Sequence, residues 1–312
     1  MDTSVETSSR HRHLIPGLHP ERHVGLGGSL ILLGCGAAAV ALLGPLVLGA
    51  IAYHVSAAAL GQVKGGDVAG LLLVAPVSVV AGVLVLRGRR AGPALGLGPA
   101  AYGLYVSFQL AVSGDITRYP GNSERWFPLF AALFVLSGGV LVRAWAALDA
   151  EAVAGARPPR RVDRAAGAFL LAVAAFLALG LHLRGLLDAW RPAPTSTEYL
   201  ADPTVFWVVK MMDLGLVVPV AVVCGVGLLR GREWAGRLRY AVLGWAALLA
   251  SSVAGMALVM QVGGDPAAST ANSVVFVLFA LVAIGLVAVV ERPLSGASRR
   301  RQAPANLPSR SA

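Results

Sequence analysis

Phe206 to Trp234 reads FWVVKMMDLGLVVPVAVVCGVGLLRGREW. Up to its Arg-Gly-Arg close, this is an apolar run long enough to cross a hydrocarbon core of about 30 Å as one helix. Two charged residues, Lys210 and Asp213, lie well inside it. The second half has a precedent earlier in the chain. Pro219–Arg232 (PVAVVCGVGLLRGR) matches Pro76–Arg89 (PVSVVAGVLVLRGR) at ten of fourteen positions, with a constant offset of 143 residues. Valine-rich membrane helices resemble one another cheaply, but shared Pro, Gly and Arg-Gly-Arg punctuation is harder to reach by chance. The stretch reads as the second copy of a duplicated membrane unit, one that has gained a buried charge pair.

The whole chain has the same character. Of its 312 residues 56% are apolar and 13% charged, where roughly 25% charged is usual for soluble domains. Apolar runs recur at 28–53, 68–87, 94–113, 127–148, 165–187, 205–229, 238–262 and 271–290. Abundant Gly and Ala suit close helix packing in lipid. The expected fold is all-α: a polytopic membrane bundle of eight transmembrane helices, with the lipid bilayer as its partner.

A net charge of +10 raises nucleic acid as a partner, and the distribution of that charge argues against it. Twenty of the 26 Lys and Arg residues fall before span one, after span eight, or in the loops after spans two, four and six. Lys64, Arg118, Arg125, Arg184 and Arg191 lie on the other side. The positive-inside rule then puts both termini in the cytoplasm of a cell-membrane protein. Cys35 and Cys224 both sit in apolar spans, where neither a disulfide framework nor a thiolate metal site is expected.

Residues 1–23 form a polar cytoplasmic tail with His11, His13, His19 and His23, which has no fixed geometry for a metal. A first four-span repeat covers 24–148, a basic linker 149–164, a second repeat 165–290, and a polar, disordered tail 291–312. Four spans per copy is an even number, so the copies are expected to be parallel, related by an axis along the membrane normal. Pro76 and Pro219 fall mid-span at corresponding places. Each removes a backbone donor and kinks its helix. Tyr119, Trp126, Trp190, Tyr199 and Trp207 near the outer loops read as interfacial anchors.

Asp213 lies about 12 Å below the outer end of span six, where a charge costs roughly 2.5–3.5 kcal/mol. Lys210 is three residues earlier, so an ion pair on one helix face is available. Lys210 can instead snorkel outward and leave Asp213 to another donor. Gln109, His182, Arg184 and Gln261 also fall in the outer half of the membrane. Together these six residues suggest a polar, outward-opening cavity lined by spans three, five, six and seven. No zinc-protease, serine-hydrolase or phosphate-loop motif is present, and no cofactor is expected.

Tyr102–Tyr105 with the polar turn that follows, Leu129–Ser137 (LFAALFVLS), Asp202–Pro219 and the Arg-Gly-Arg turn into span seven carry a resemblance. Across most of 68–262 the pattern resembles a group of bacterial eight-span integral membrane proteins with no established activity. That resemblance implies a membrane fold and supplies no catalytic residues. Two functions follow from the residues themselves. One is a carrier or binding protein for a small polar solute or ion, with Asp213 in the site. The other is a membrane scaffold or sensor subunit in which Lys210–Asp213 is a structural pair. Ligand identity and oligomeric state are not legible.

Overall fold

The computed structural model describes residues 20–148, 153, 155, 157–265 and 268–300. The expectations for His11, His13 and His19, for linker residues 149–152, 154 and 156, and for the last twelve residues lie outside the described residues. Among those described, eight helices are long and apolar enough to span a membrane: α1 Val24–Leu43, α2 Ala57–Leu86, α3 Ala91–Val112, α4 Ser123–Ala147, α5 Arg160–Ala189, α6 Pro203–Leu229, α7 Glu233–Val262 and α8 Thr270–Leu294. The fold is an all-helical bundle, and the chain is a multi-pass membrane protein whose environment is a lipid bilayer.

Four boundaries differ most from expectation. The first helix already begins at Pro20 and the last continues to Arg300, inside the segments read as tails. The first span ends at Leu43, and residues 44–56 fold back as a loop. The largest shift is in α2, which starts at Ala57, eleven residues before the expected 68. Its first turn is capped by Ser56, whose side chain accepts from the Ala59 amide. The Gly- and Lys-containing stretch GQVKGGDVAG looks like a loop in sequence, yet its glycines are packing surface. Lys64 and Asp67 therefore lie inside a spanning helix.

The two mid-span prolines act as expected, with a specific outcome. Immediately before each, the helix widens into a π turn, Gly70–Val74 in α2 and Asp213–Val217 in α6. The Ala75 amide bonds to the Gly70 carbonyl and the Val218 amide to the Asp213 carbonyl, five residues back. A proline ring crowds the carbonyl four residues earlier, and one extra residue in the turn relieves that clash while keeping the neighbouring amides bonded. The α-helical remainders, Ala75–Leu86 and Val218–Leu229, and the left-handed turns at Gly88 and Gly231 keep the same 143-residue spacing. A third π turn, Phe176–His182, interrupts α5.

Glycines set the helix approaches. Gly27 of α1 meets Gly82 of α2, Gly167 of α5 meets Gly225 of α6, and Gly98 of α3 meets Gly244 of α7. The tightest is Gly65 of α2, where an added Cβ would lie 2.2 Å from the Cα of Met256 in α7. That backbone cannot yield locally. At the arginine-rich end Arg239 sits inside α7 rather than in the loop expected for it. Its side chain is 0% exposed and donates to Asp163 at 2.7 Å and to the Tyr240 hydroxyl at 3.1 Å. Arg237 stacks on Trp145 and donates to its carbonyl. These links close that end of the bundle between α4, α5 and α7.

Gly65→Ala is expected to force α2 from α7 and cost about 1–3 kcal/mol, as overpacking does. Gly139→Ala, with nothing within 4 Å of the new methyl, should be neutral or stabilising by up to about 1 kcal/mol. Thermal melting of the two variants in one detergent checks the contrast.

Candidate functional site

A cavity of about 550 Å³ occupies the middle of the bundle. It draws residues from all eight helices, not only the four expected. Most of its wall is apolar, with Leu33, Val74, Phe130, Leu177 and Val217 among its side chains. Toward the arginine-rich end it stops near Leu170, Ala221 and Val242, above buried Cys224, Leu228 and Arg239. Toward the other end it reaches Glu198, Ser269 and Asn272, of which Glu198 and Asn272 are exposed.

Asp213 is the hub of the polar wall. Tyr105 of α3 donates its hydroxyl to Oδ1 at 2.7 Å, and His182 of α5 lies with Nε2 2.8 Å from Oδ2. Each carboxyl oxygen thus has one hydrogen-bond partner, from two different helices. The π turns explain the reach. His182 closes the one in α5 and Asp213 opens the one in α6. Beside them Tyr105 packs on Trp245 at 5.9 Å between ring centres, and Tyr102 donates to Ser252 Oγ at 3.1 Å.

The expected Lys210–Asp213 pair is not formed. Lys210 turns toward the cavity mouth, where its ammonium lies 2.7 Å from Glu198 Oε1 and 3.9 Å from the centre of the Phe206 ring. A long stem and an exposed carboxylate nearer water make that the less costly arrangement. Asp213, with a short side chain at mid-span, takes donors from its neighbours instead. Of the six sequence candidates the cavity gathers Asp213, Lys210, His182 and Gln109. Arg184 and Gln261 point out of it and are exposed.

Sequence reasoning missed three groups. Tyr105 was visible as an aromatic in an apolar run, without a sign that it faces inward. Glu198 belongs to a loop that returns as the short helix Thr197–Ala201. Asp67 was placed outside span two. Five buried groups around the cavity have a polar atom without a hydrogen-bond partner in the protein: Tyr53, Asp67, Ser113, His182 and Trp245. Buried polar atoms are rarely left so, and their convergence on one space marks it as built for polar company.

The loop at 44–56 covers this end of the cavity, with Tyr53 and Val55 in its wall. Asn122 accepts from the Ala52 amide, and Asp202 accepts from the Ser56 amide. His54 is clamped by two acceptors, the Tyr119 carbonyl at Nδ1 and the Glu124 carboxylate at Nε2, each 2.7 Å away. Only the doubly protonated ring can donate to both. The Glu124 hydrogen bond, then the Tyr119 carbonyl, raises the His54 pKa above its ordinary 6.5, against the opposing effect of burial.

Compared with known proteins, the chain matches no family model, no curated protein and no solved structure. The site is therefore read from its geometry alone.

Two outcomes are expected. In a double-mutant cycle, Lys210→Met and Asp213→Asn should add to within about 0.5 kcal/mol, whereas Tyr105→Phe and Asp213→Asn, which share a bond, should couple by about 0.5–3 kcal/mol. Melting curves supply the four corners of each cycle. The second outcome concerns pH. The His54 pKa is higher folded than unfolded, so its stabilisation is full below about 6.5 and is lost as pH rises through the raised value. The wild-type melting temperature should fall across that window, and His54→Gln should remove that part of the fall.

Proposed function

We propose that this protein binds a small solute in the central cavity, as a membrane carrier or binding protein, with the Asp213–His182–Tyr105 cluster as the polar wall. The observation that carries this reading is the cavity itself. It is of ligand size, since small-molecule pockets run about 300–1,000 Å³, and five buried polar groups with unmet hydrogen-bonding capacity surround it. Its mostly apolar lining narrows the solute from a hydrated ion to a molecule with an apolar body and one or two polar groups. The arginine distribution supports a closed end in the cytoplasm and a mouth outside. The separate partners of Lys210 and Asp213 support this reading over a scaffold built on a Lys210–Asp213 pair.

The matching π turns, prolines and left-handed glycine turns at a 143-residue spacing support descent from two parallel four-span copies. Paired broken helices at corresponding places are a feature of transporter sites. A receptor-like variant of the same reading has one specific observation in its favour, the packed arginine end below Ala221 and Val242.

The test is a solute screen by thermal shift on purified protein, run beside Trp245→Ala and His182→Ala. A solute of the proposed class should raise the melting temperature of the wild type with a saturating concentration dependence. It should do so by less than half in either variant. Stabilisation that is the same in all three proteins, or none across a broad panel, contradicts binding in this cavity.

A further inference from the structure

We infer that Asp67 forms a second polar subsite in the cavity, one that takes the protonated amine of the solute; this rests on the solute-binding reading above. Asp213 was the sequence candidate for the ligand carboxylate, but both of its oxygens are already bonded to protein donors. Asp67 differs. It is only 7% exposed and lines the same cavity; it accepts from the Leu46 backbone amide, yet its Oδ2 has no hydrogen-bond partner. Among the described residues it enters no ion pair.

The two carboxylates stand at the same level. Asp67 is ten residues into α2 from Ala57, and Asp213 ten residues into α6 from Pro203, each about 15 Å deep. Each is at or just before the π turn of its helix.

Charge decides the sign of the occupant. The ionisable side chains around the cavity, tyrosines apart, are Asp67, Glu198 and Asp213 against Lys210 and His182. Even with His182 counted as basic, the acidic groups outnumber the basic ones by one. The C-terminal end of α1 adds to it. Gly44, just past that end, packs so closely that a Cβ there would sit 2.6 Å from Asp67 Oδ2, and a helix C-terminus carries partial negative charge.

The oxygen supply decides the kind of cation. The Tyr53 and Ser113 hydroxyls are the other unpartnered buried oxygens in the first-half wall. Alkali and divalent ions need a shell of about six oxygens. Among the described residues no cluster of three His, Cys, Asp or Glu side chains could hold a metal ion. An ammonium group needs only a few acceptors, and its organic body suits the apolar wall.

The experiment measures equilibrium binding to the full-length protein in lipid nanodiscs with two probes of one shape, 1-naphthylmethylamine and 1-naphthalenemethanol. Wild type should bind the amine at least about tenfold more tightly, the scale of a charge-assisted bond. Asp67→Asn should abolish that preference and leave the alcohol unchanged. Asp213→Asn should retain the preference. If Asp67→Asn does not yield folded protein, Tyr53→Phe must lower amine affinity severalfold without affecting the alcohol.

Equal binding of the two probes to wild type, or a preference that survives in Asp67→Asn or Tyr53→Phe, overturns the subsite and leaves the cavity reading standing. Binding of neither probe overturns both. Displacement of the amine by sodium at concentrations where choline is inert assigns the subsite to an inorganic cation, and the amine assignment falls.

Discussion

The structure depends on satisfying a carboxyl group buried in the middle of the bundle. An ionised Asp213 stripped of water would cost far more than the fold can spare. Two hydrogen bonds to a charged acceptor return about 1.5–3 kcal/mol each, and here they come from Tyr105 of α3 and His182 of α5. That requirement ties three helices at one depth and fixes how α6 is rotated against its neighbours. It also explains why Lys210 can turn away to Glu198.

The π turns are what make such convergence possible. In α2 and α6 a proline two residues into the following α-helical stretch accompanies the widening, which relieves its clash with the preceding turn, and the widened turn in α6 begins at Asp213 itself. In α2 the equivalent turn begins three residues after Asp67. Backbone irregularity, buried charge and cavity thus coincide in both helices. At the other end Arg239 and Asp163 form a second buried ion pair, which seals the bundle below the cavity. One end holds its charges around an open space, and the other uses them as a plug.

The membrane class, the eight spans and the region of the site were legible because hydropathy and loop arginines report them directly. His182 with Asp213 was legible as a shared depth, not as a bond, because sequence shows level along a helix but not which face meets which neighbour. Asp67 and Lys64 were lost for a physical reason. Gly65 and Gly66 read as loop punctuation, while in the bundle Gly65 is the point where α2 presses on the backbone of α7. Arg239 was misjudged as a loop cation because a buried Arg is legible only with its partner, and Asp163 lies 76 residues away. The small-residue contacts left a visible trace, the recurrent glycines, without saying which pairs meet.

The central claim is that Asp213 is held by His182 across the α5–α6 interface. Nitrogen-15 NMR of selectively labelled histidine in the intact protein tests it most directly. The account predicts that His182 Nε2 carries a proton shifted strongly downfield by a short bond to a carboxylate, and that Asp213→Asn removes that shift. A His182 resonance with an unprotonated Nε2, or one unchanged by Asp213→Asn, would contradict it.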